Sequence, residues 1–309
     1  MKAILIDEFG GPEVLRIADI AEPIPTSGEI LVEIHTASVN PADSKVRQGT
    51  GPGVGNVTFP YIIGRDFSGV VKALGENVTE FTPGDAVFGV LPMGSEGTYC
   101  EALTIDAALV AKKPDALSHS AAAAIVLTGL TSLVSIEDTL ELQTGEKILI
   151  HGGAGGVGSF AVQLAHHIGA HVITTASPVN HDYLQGLGAD EVIDYNSQDF
   201  TEVLSGIDVI FDLIGGDVHQ RSFEVLKPGG RMAYIAPLLK DATPARDDVE
   251  IMRPNVQRDR KHLERIVELY EVGAIKIPSL QEMPLTEAGR AHDLIDTQHV
   301  RGKIVLQVK

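Results

Sequence analysis

The first third of the chain is a succession of short apolar runs cut by glycine and proline. Ala3–Ile6, Glu29–Ile34, Gly69–Lys72, Asp85–Val90 and Tyr99–Ile105 each read as a β-strand. Turn signals such as Phe9-Gly10-Gly11-Pro12 and Thr82-Pro83-Gly84-Asp85 separate them. Short strands at this density predict a barrel-like antiparallel domain. Near Pro114 the pattern changes. Ser118-His119-Ser120 leads into the apolar helix Ala121–Leu127, with Ser118 or Ser120 as its N-cap. From Lys147 onward strands alternate with helices: Lys147–His151, His171–Thr175, Glu191–Asp194, Asp208–Asp212 and Arg231–Ile235 are the strands. That rhythm belongs to a parallel sheet covered on both faces. Helix Arg260–Val272 leaves the sheet, and Glu282–Val308 reads strand, helix, strand. This tail is expected to fold back onto the first domain, because a β-strand does not stay unpaired. The pattern predicts an α/β chain of two domains, one over 1–117 completed by 274–309 and one over 118–273.

The stretch with the most chemical content is Ile148-Leu149-Ile150-His151-Gly152-Gly153-Ala154-Gly155-Gly156-Val157-Gly158, followed by the amphipathic Ser159–Ala165. Gly153, Gly155 and Gly158 satisfy G-x-G-x-x-G between a buried strand and a helix, the context that gives this short pattern meaning. The first glycine permits the turn, the second lets backbone N–H groups approach a pyrophosphate, and the third lets helix and strand pack closely. The backbone of Gly155, Gly156, Val157 and Gly158 is therefore expected to face the phosphates of a dinucleotide at the helix N-terminus. A second glycine-rich run, Gly49–Gly55, does not lead from a strand into a helix and reads as a loop.

Composition narrows the class. The chain has 309 residues, 44% hydrophobic and 21% charged, as in a soluble globular protein with two cores. No apolar run approaches the length of a membrane span, and Met1–Asp7 breaks too early for a signal peptide, so a cytoplasmic protein without a membrane partner is expected. The lone Cys100 excludes an internal disulfide and any cysteine-based metal cluster. A net charge of −18 disfavours nucleic acid as a partner. Arg253, Arg258, Arg260 and Lys261 cluster, but they interleave with Leu263, Ile266 and Val267 and read as the solvated face of an amphipathic helix. His151, His166, His167 and His171 do not share a helix face and read as solvent-facing side chains rather than a metal site.

A preference for NAD usually shows as Asp or Glu at the end of the second strand, on the ribose 2′-OH. Here that strand ends Thr174-Thr175-Ala176-Ser177-Pro178, with a hydroxyl and no carboxylate. NADPH is the cofactor this favours.

Several further stretches carry a family resemblance. They are Phe9–Leu15, Ala37-Ser38-Val39-Asn40-Pro41-Ala42-Asp43, Pro60–Gly69, Gly97-Thr98-Tyr99, Leu127-Thr128-Gly129-Leu130-Thr131, Leu187–Asp190 and Arg301-Gly302-Lys303. In this order they resemble the medium-chain dehydrogenase/reductase superfamily, and within it the zinc-free quinone oxidoreductase and enone reductase branch. The resemblance implies a GroES-like catalytic domain, a Rossmann domain and a cofactor cleft between them. Where zinc-dependent members of the superfamily hold their catalytic metal, this chain has Asn40, Arg65 and Leu127. An amide, a cation and an alkyl chain do not make a zinc site. No metal is expected.

Without a Lewis acid the chemistry reduces to hydride transfer onto a conjugated acceptor, a quinone or an α,β-unsaturated carbonyl. Charge then develops on oxygen, where hydrogen-bond donors stabilise it. By resemblance, the Asn40 amide is expected to bond the substrate oxygen or the nicotinamide ribose and Arg65 to polarise a carbonyl, with a salt bridge to Asp43 or Asp66 the competing role for Arg65. Tyr61 lines the substrate pocket or packs in the core, and Thr128 meets the nicotinamide ribose or back-bonds within its helix. Ser177 and Tyr195 are expected at the 2′-phosphate, with Ile235 and Ala236 beneath the nicotinamide. The family usually carries a lysine two residues after the position of Ser177, and Val179 stands there. The expected protein is a zinc-independent NADPH:quinone oxidoreductase or enone reductase, a homodimer acting on a small molecule. A zinc-free alcohol or carbonyl dehydrogenase and a non-catalytic NADPH-binding protein are the alternatives.

Overall fold

The computed structural model describes residues 1–51, 53–95, 97–239 and 246–309. The chain forms two compact units: Met1–Leu127, Arg258–Glu268 and Ile277–Lys309 make the first, Thr128–Gln257 and Leu269–Lys276 the second. The chain runs β1 (Lys2–Ile6), β2 (Arg16–Asp19), β3 (Glu29–Val39), α1 (Pro41–Arg47), β4 (Tyr61–Ile62), β5 (Asp66–Leu74), β6 (Ala86–Val90), β7 (Ala102–Asp106), β8 (Val110–Lys112) and α2 (His119–Leu133). It continues β9 (Lys147–His151), α3 (Gly156–Ile168), β10 (His171–Ala176), α4 (His181–Gly186), β11 (Glu191–Asp194), α5 (Phe200–Val203), β12 (Ile207–Asp212), α6 (Gly216–Ser222), β13 (Leu226–Tyr234) and β14 (Glu250–Met252). It ends α7 (Arg260–Glu271), β15 (Leu280–Pro284), α8 (Ala288–Asp296) and β16 (Lys303–Gln307).

The first unit is a GroES-like β domain built around β3. This long strand pairs antiparallel with β5, β7 and β16, so it carries the core on both faces. One face packs Ile30, Val32, Ile34, Phe67 and Val87 together. The other packs Ala37, Val39, Ile63, Tyr99, Ile304 and Leu306. The tail returns because Ile304, Val305 and Leu306 are apolar on both sides of the strand and are buried between β3 and β15. A small sheet, β2-β1-β4, completes the unit.

The second unit is a Rossmann-like sheet. Its strands run parallel in the order β11-β10-β9-β12-β13-β14 among the described residues. The chain steps outward from β9 to β10 and β11, then restarts on the other side with β12. The carboxyl ends of β9 and β12 therefore flank a topological switch point, the usual ligand crevice of such sheets.

Two expectations change with the fold in view. The helical stretch His119–Thr139, 21 residues at mean hydropathy 1.6, is long and apolar enough to cross a membrane, contrary to the sequence expectation. Some 89% of that stretch is buried within the protein, so its apolar residues serve the core. Ser118 supplies the cap, accepting from the amide of Ala121 at 3.2 Å. Two of the arginines read as a solvated face, Arg258 and Arg260, are engaged instead. Arg260 donates to the carbonyls of Val110, at 3.0 Å, and of Ala107, and Arg258 to that of Leu91. In the Gly49–Gly55 run, the amides of Thr50 and Gly51 donate to the carbonyl of Lys45 at 2.9 and 3.2 Å, and Pro52 lies outside the described residues.

Candidate functional site

The glycine turn at the end of β9 is shaped by clashes that side chains would cause. Gly152 sits at φ +78°, a conformation costly for any other residue. A Cβ on Gly153 would lie 2.1 Å from Thr174 Oγ1. On Gly158 it would lie 2.3 Å from the carbonyl oxygen of Gly152 and 2.7 Å from Gly153 Cα. The fold itself therefore demands glycine at these three positions. Gly155 is different. Its φ of −73° suits any residue, and a Cβ there would meet only the Gly152 oxygen, at 3.8 Å. No packing in the fold explains this glycine, whereas a bound group lying over the turn would. Directly after it, the amides of Gly156, Val157 and Gly158 open α3, where no earlier turn of the helix can accept them. Open space above a row of amides at a helix start is the geometry that can hold a phosphate.

The other dinucleotide candidates gather at the same carboxyl edge of the sheet. Ala176 pairs with Asp194 across β10 and β11, so Ser177 and Tyr195 follow side by side. Tyr195 is 54% exposed. Ser177 Oγ accepts from Asn180 Nδ2 at 3.1 Å, which brings in a residue the sequence reading passed over. Ile235 continues past β13, donating its amide to the carbonyl of Asp212 at 3.2 Å, and Ala236 follows it, both half-buried. Thr128 is buried at the head of this unit, and its carbonyl accepts from Ser132 Oγ at 2.8 Å. The same hydroxyl reaches the carbonyl of Val157 at 3.0 Å, so one serine ties α2 to the glycine turn. His166 and His167 are exposed, as the sequence suggested, but His151 is buried with its ring fully engaged.

In the first unit the strand register assembles a buried polar cluster. Ile304 faces Val39 and Phe67 faces Ala37, which brings Lys303, Asn40 and Asp66 together at one end of the sheet. Asn40 Nδ2 donates to Asp66 Oδ1 at 2.7 Å, and Lys303 Nζ donates to Asn40 Oδ1 at 2.7 Å and to the Val39 carbonyl at 2.9 Å. Asp43 accepts from the Asn40 amide at 2.8 Å and from Arg65 Nε at 3.1 Å. Arg65 also donates to the Ala42 carbonyl at 3.4 Å. The amide of Asn40 is thus engaged at both ends by the protein itself, and Arg65 makes the salt bridge weighed against its substrate role. Tyr61 stands apart, half-buried on β4 against the apolar core beside Ile6.

Burial governs the charges here. It pushes the Asp43 carboxyl up to about 6 despite Arg65, and raises Asp66 against the pull of Lys303, Ser38 and Asn40. It lowers the Lys303 ammonium, which the two aspartates hold up. Among the described residues no group of three or more His, Cys, Asp or Glu is placed to hold a metal ion. Sequence reasoning missed Asp43, Asp66 and Lys303 as a unit. The available signal was Asp three residues after Asn-Pro at a helix start, which is an N-terminal capping pattern.

Close by, Arg47 Nη1 donates to His292 Nδ1 at 3.0 Å, and Arg47 Nη2 pairs with Asp296 at 2.8 Å. His292 is therefore neutral, with its other nitrogen toward the Tyr99 hydroxyl at 3.3 Å. Burial, reinforced by Arg47, pulls His292 down to about 3. Its unfolded form takes up a proton below about pH 6.5 while the folded form does not, so stability falls as the pH drops through that window. From pH 7 to pH 5 the protein is expected to lose about 2 kcal/mol more than a His292→Gln variant. Urea unfolding of both at the two pH values checks this, and parallel pH profiles would exclude it.

Comparison with known proteins agrees with this geometry. The model of the alcohol dehydrogenase GroES-like domain matches residues 26–115, and that of the zinc-binding dehydrogenases matches 187–306. The human mitochondrial NAD(P)H oxidoreductase RTN4IP1 is 31% identical, over 100% of this chain and 89% of its own length. Among solved structures, the quinone oxidoreductase from Coxiella burnetii superposes with a TM-score of 0.93 at 34% identity, covering 100% of this chain and 99% of that one. The Escherichia coli quinone oxidoreductase complexed with NADPH gives 0.89 at 28% identity, covering 99% of this chain and 100% of that one.

Proposed function

We infer that this chain, which belongs to the quinone oxidoreductase branch of the medium-chain dehydrogenase/reductase superfamily, is an NAD(P)H-type oxidoreductase that uses NADPH to reduce a quinone or an α,β-unsaturated carbonyl without zinc. The observation that carries the cofactor half is Gly155, a glycine that the fold does not need, set before three helix-opening amides. For the metal, the donor set is the support: Asn40, Arg65 and Leu127 offer no thiolate, imidazole or carboxylate. Asn40 and Arg65 are moreover bonded to Asp66 and Asp43.

When bound, NADPH supplies a hydride at C4 of its nicotinamide. The chain's own residues bind, orient and exclude water. Amides of Gly156, Val157 and Gly158 neutralise the pyrophosphate, and Ser177 and Tyr195, with Asn180 behind Ser177, receive the 2′-phosphate. Thr128 meets the nicotinamide ribose, and Ile235 and Ala236 give the ring an apolar floor. In the first unit, Tyr61 would line the substrate pocket, while Asn40 holds Asp66 and Lys303 in register and Arg65 holds Asp43. A homodimer through the edge strand β14, a cytoplasmic setting and the absence of nucleic-acid and membrane partners complete the reading.

Steady-state kinetics test it. NADPH oxidation is expected with 1,4-benzoquinone and with methyl vinyl ketone, undiminished after exhaustive dialysis against a chelator, and negligible with propanal. Turnover of propanal alone would favour the carbonyl dehydrogenase, and loss of activity on chelation would reinstate a metal. Tight NADPH binding with no acceptor reduced would favour the non-catalytic protein.

A further inference from the structure

The buried histidine at the end of β9 is explained by neither solvent exposure nor the chemistry above. His151 is 1% exposed, and its two nitrogens face different elements. Nδ1 lies 3.3 Å from Thr175 Oγ1 on β10, and Nε2 lies 3.0 Å from Ser222 Oγ on α6. The direction of each hydrogen follows from the ends of the chain. Ser222 Oγ donates to the carbonyl of Val218 at 2.7 Å, so it accepts from His151 Nε2–H. His151 Nδ1 is then the acceptor, and the Thr175 hydroxyl donates to it. That leaves the oxygen of Thr175 to accept the amide of Gly152, at 3.2 Å. A single directed relay thus runs from the left-handed first residue of the glycine turn through Thr175, His151 and Ser222 into α6.

A second contact joins the two turns at the switch point. A Cβ on Gly152 would stand 3.0 Å from Ile214 Cδ1, so Ile214 lies directly against the glycine turn. The turn carrying Ile214 is itself held by Asp212, which accepts the amides of Ile214 and Gly215 at 2.9 Å each. The relay therefore ends in the helix that follows the second turn, while its start is the first.

We propose that Thr175 and His151 are positioning residues for the dinucleotide: through the Gly152–Thr175–His151–Ser222 relay they fix the glycine turn in its phosphate-binding shape. This rests on the reading that the turn holds NADPH. A positioning role predicts weakened cofactor affinity with little change in the chemical step, because Thr175 acts through its bonds to Gly152 and His151. Removing the hydroxyl frees the Gly152 amide and the buried His151 acceptor together, so two groups lose their partners at once.

The experiment compares Thr175→Val with Thr175→Ser in the full chain, reading NADPH and ADP-ribose dissociation constants by calorimetry beside apo-protein melting curves. Thr175→Val is expected to weaken both ligands about tenfold, to raise the KM for NADPH and to leave kcat at saturating NADPH nearly unchanged. Thr175→Ser, which keeps the oxygen, is expected to retain the wild-type affinity. His151→Phe should reproduce the Thr175→Val affinity in whatever fraction folds. Wild-type affinity in a folded Thr175→Val, or equal loss in the serine variant, would overturn the proposal. Failure of the unaltered protein to bind either ligand would overturn the NADPH reading with it.

Discussion

Alanine at position 155 is expected to leave the fold intact while removing most dinucleotide binding, and alanine at position 158 to destabilise the fold itself. The two glycines are three residues apart in one motif, and local sequence does not tell them apart. Structure does. At Gly158 the new methyl would sit 2.3 Å from a backbone oxygen and 2.7 Å from a Cα, neither of which can move aside without opening the β9–α3 turn. Such overpacking against main chain costs about 3 kcal/mol, the upper end for a single added methyl. At Gly155 the methyl meets only an oxygen at 3.8 Å, so Gly155→Ala should change apo stability by less than about 1 kcal/mol. The methyl would, however, occupy the space through which the helix-opening amides reach the pyrophosphate. Loss of two charge-assisted hydrogen bonds is worth on the order of a hundredfold in affinity. Melting curves of the apo variants and NADPH titrations separate the two effects. If Gly155→Ala binds NADPH as the unaltered protein does, the pyrophosphate does not lie over this turn.

The second large effect concerns Lys303. Replacing it by methionine keeps the aliphatic stem and removes a buried ammonium that stands against Asp66 and Asp43. Two fully buried carboxylates then share the single cation of Arg65, whose bond is to Asp43. Breaking a buried charge arrangement from one side costs about 3–5 kcal/mol. The sign of the pH dependence identifies the cause. Burial already raises the folded Asp43 carboxyl to about 6 and lifts Asp66 as well. For a carboxyl raised in the folded state, the folded protein holds more protons, so stability is regained as pH falls through the folded value toward the unfolded one. Lys303→Met should therefore recover part of its deficit between pH 7.5 and 5.5, relative to the unaltered protein at each pH. The acid sensitivity of His292 is common to both proteins and cancels in that difference. A deficit independent of pH would mean that lost packing, not uncompensated charge, is what the substitution removes.

Much of this was legible along the chain. Strands 147–151 and 191–194 have the bounds that the pattern gave, with apolar centres at Ile148–Ile150 and Val192–Ile193. The antiparallel strands β3 and β5 extend several residues past their predicted ends, because their termini carry polar residues such as Thr36, Ser38 and Asp66 that are buried by tertiary partners. The position of the helix 119–139 was legible, but its full apolar length was underestimated, since serine and threonine within it turn back onto their own helix. Ser135 donates to the Thr131 carbonyl at 2.6 Å and Thr139 to that of Val134 at 2.7 Å.

By itself the sequence determined the two folds, the glycine turn with its helix, the returning tail and a donor set at Asn40, Arg65 and Leu127 with no thiolate, imidazole or carboxylate. These are matters of period, of missing side chains and of donor chemistry, all written locally. Only the tertiary structure decided what those residues do. Asn40 and Lys303 are 263 positions apart in sequence and 2.7 Å apart in space, and His151 meets a serine 71 positions on. Such partners come from strand register and helix packing. No local pattern records a distance between residues that distant pairing brings together, and it is that distance which sets their charge state and their hydrogen bonds.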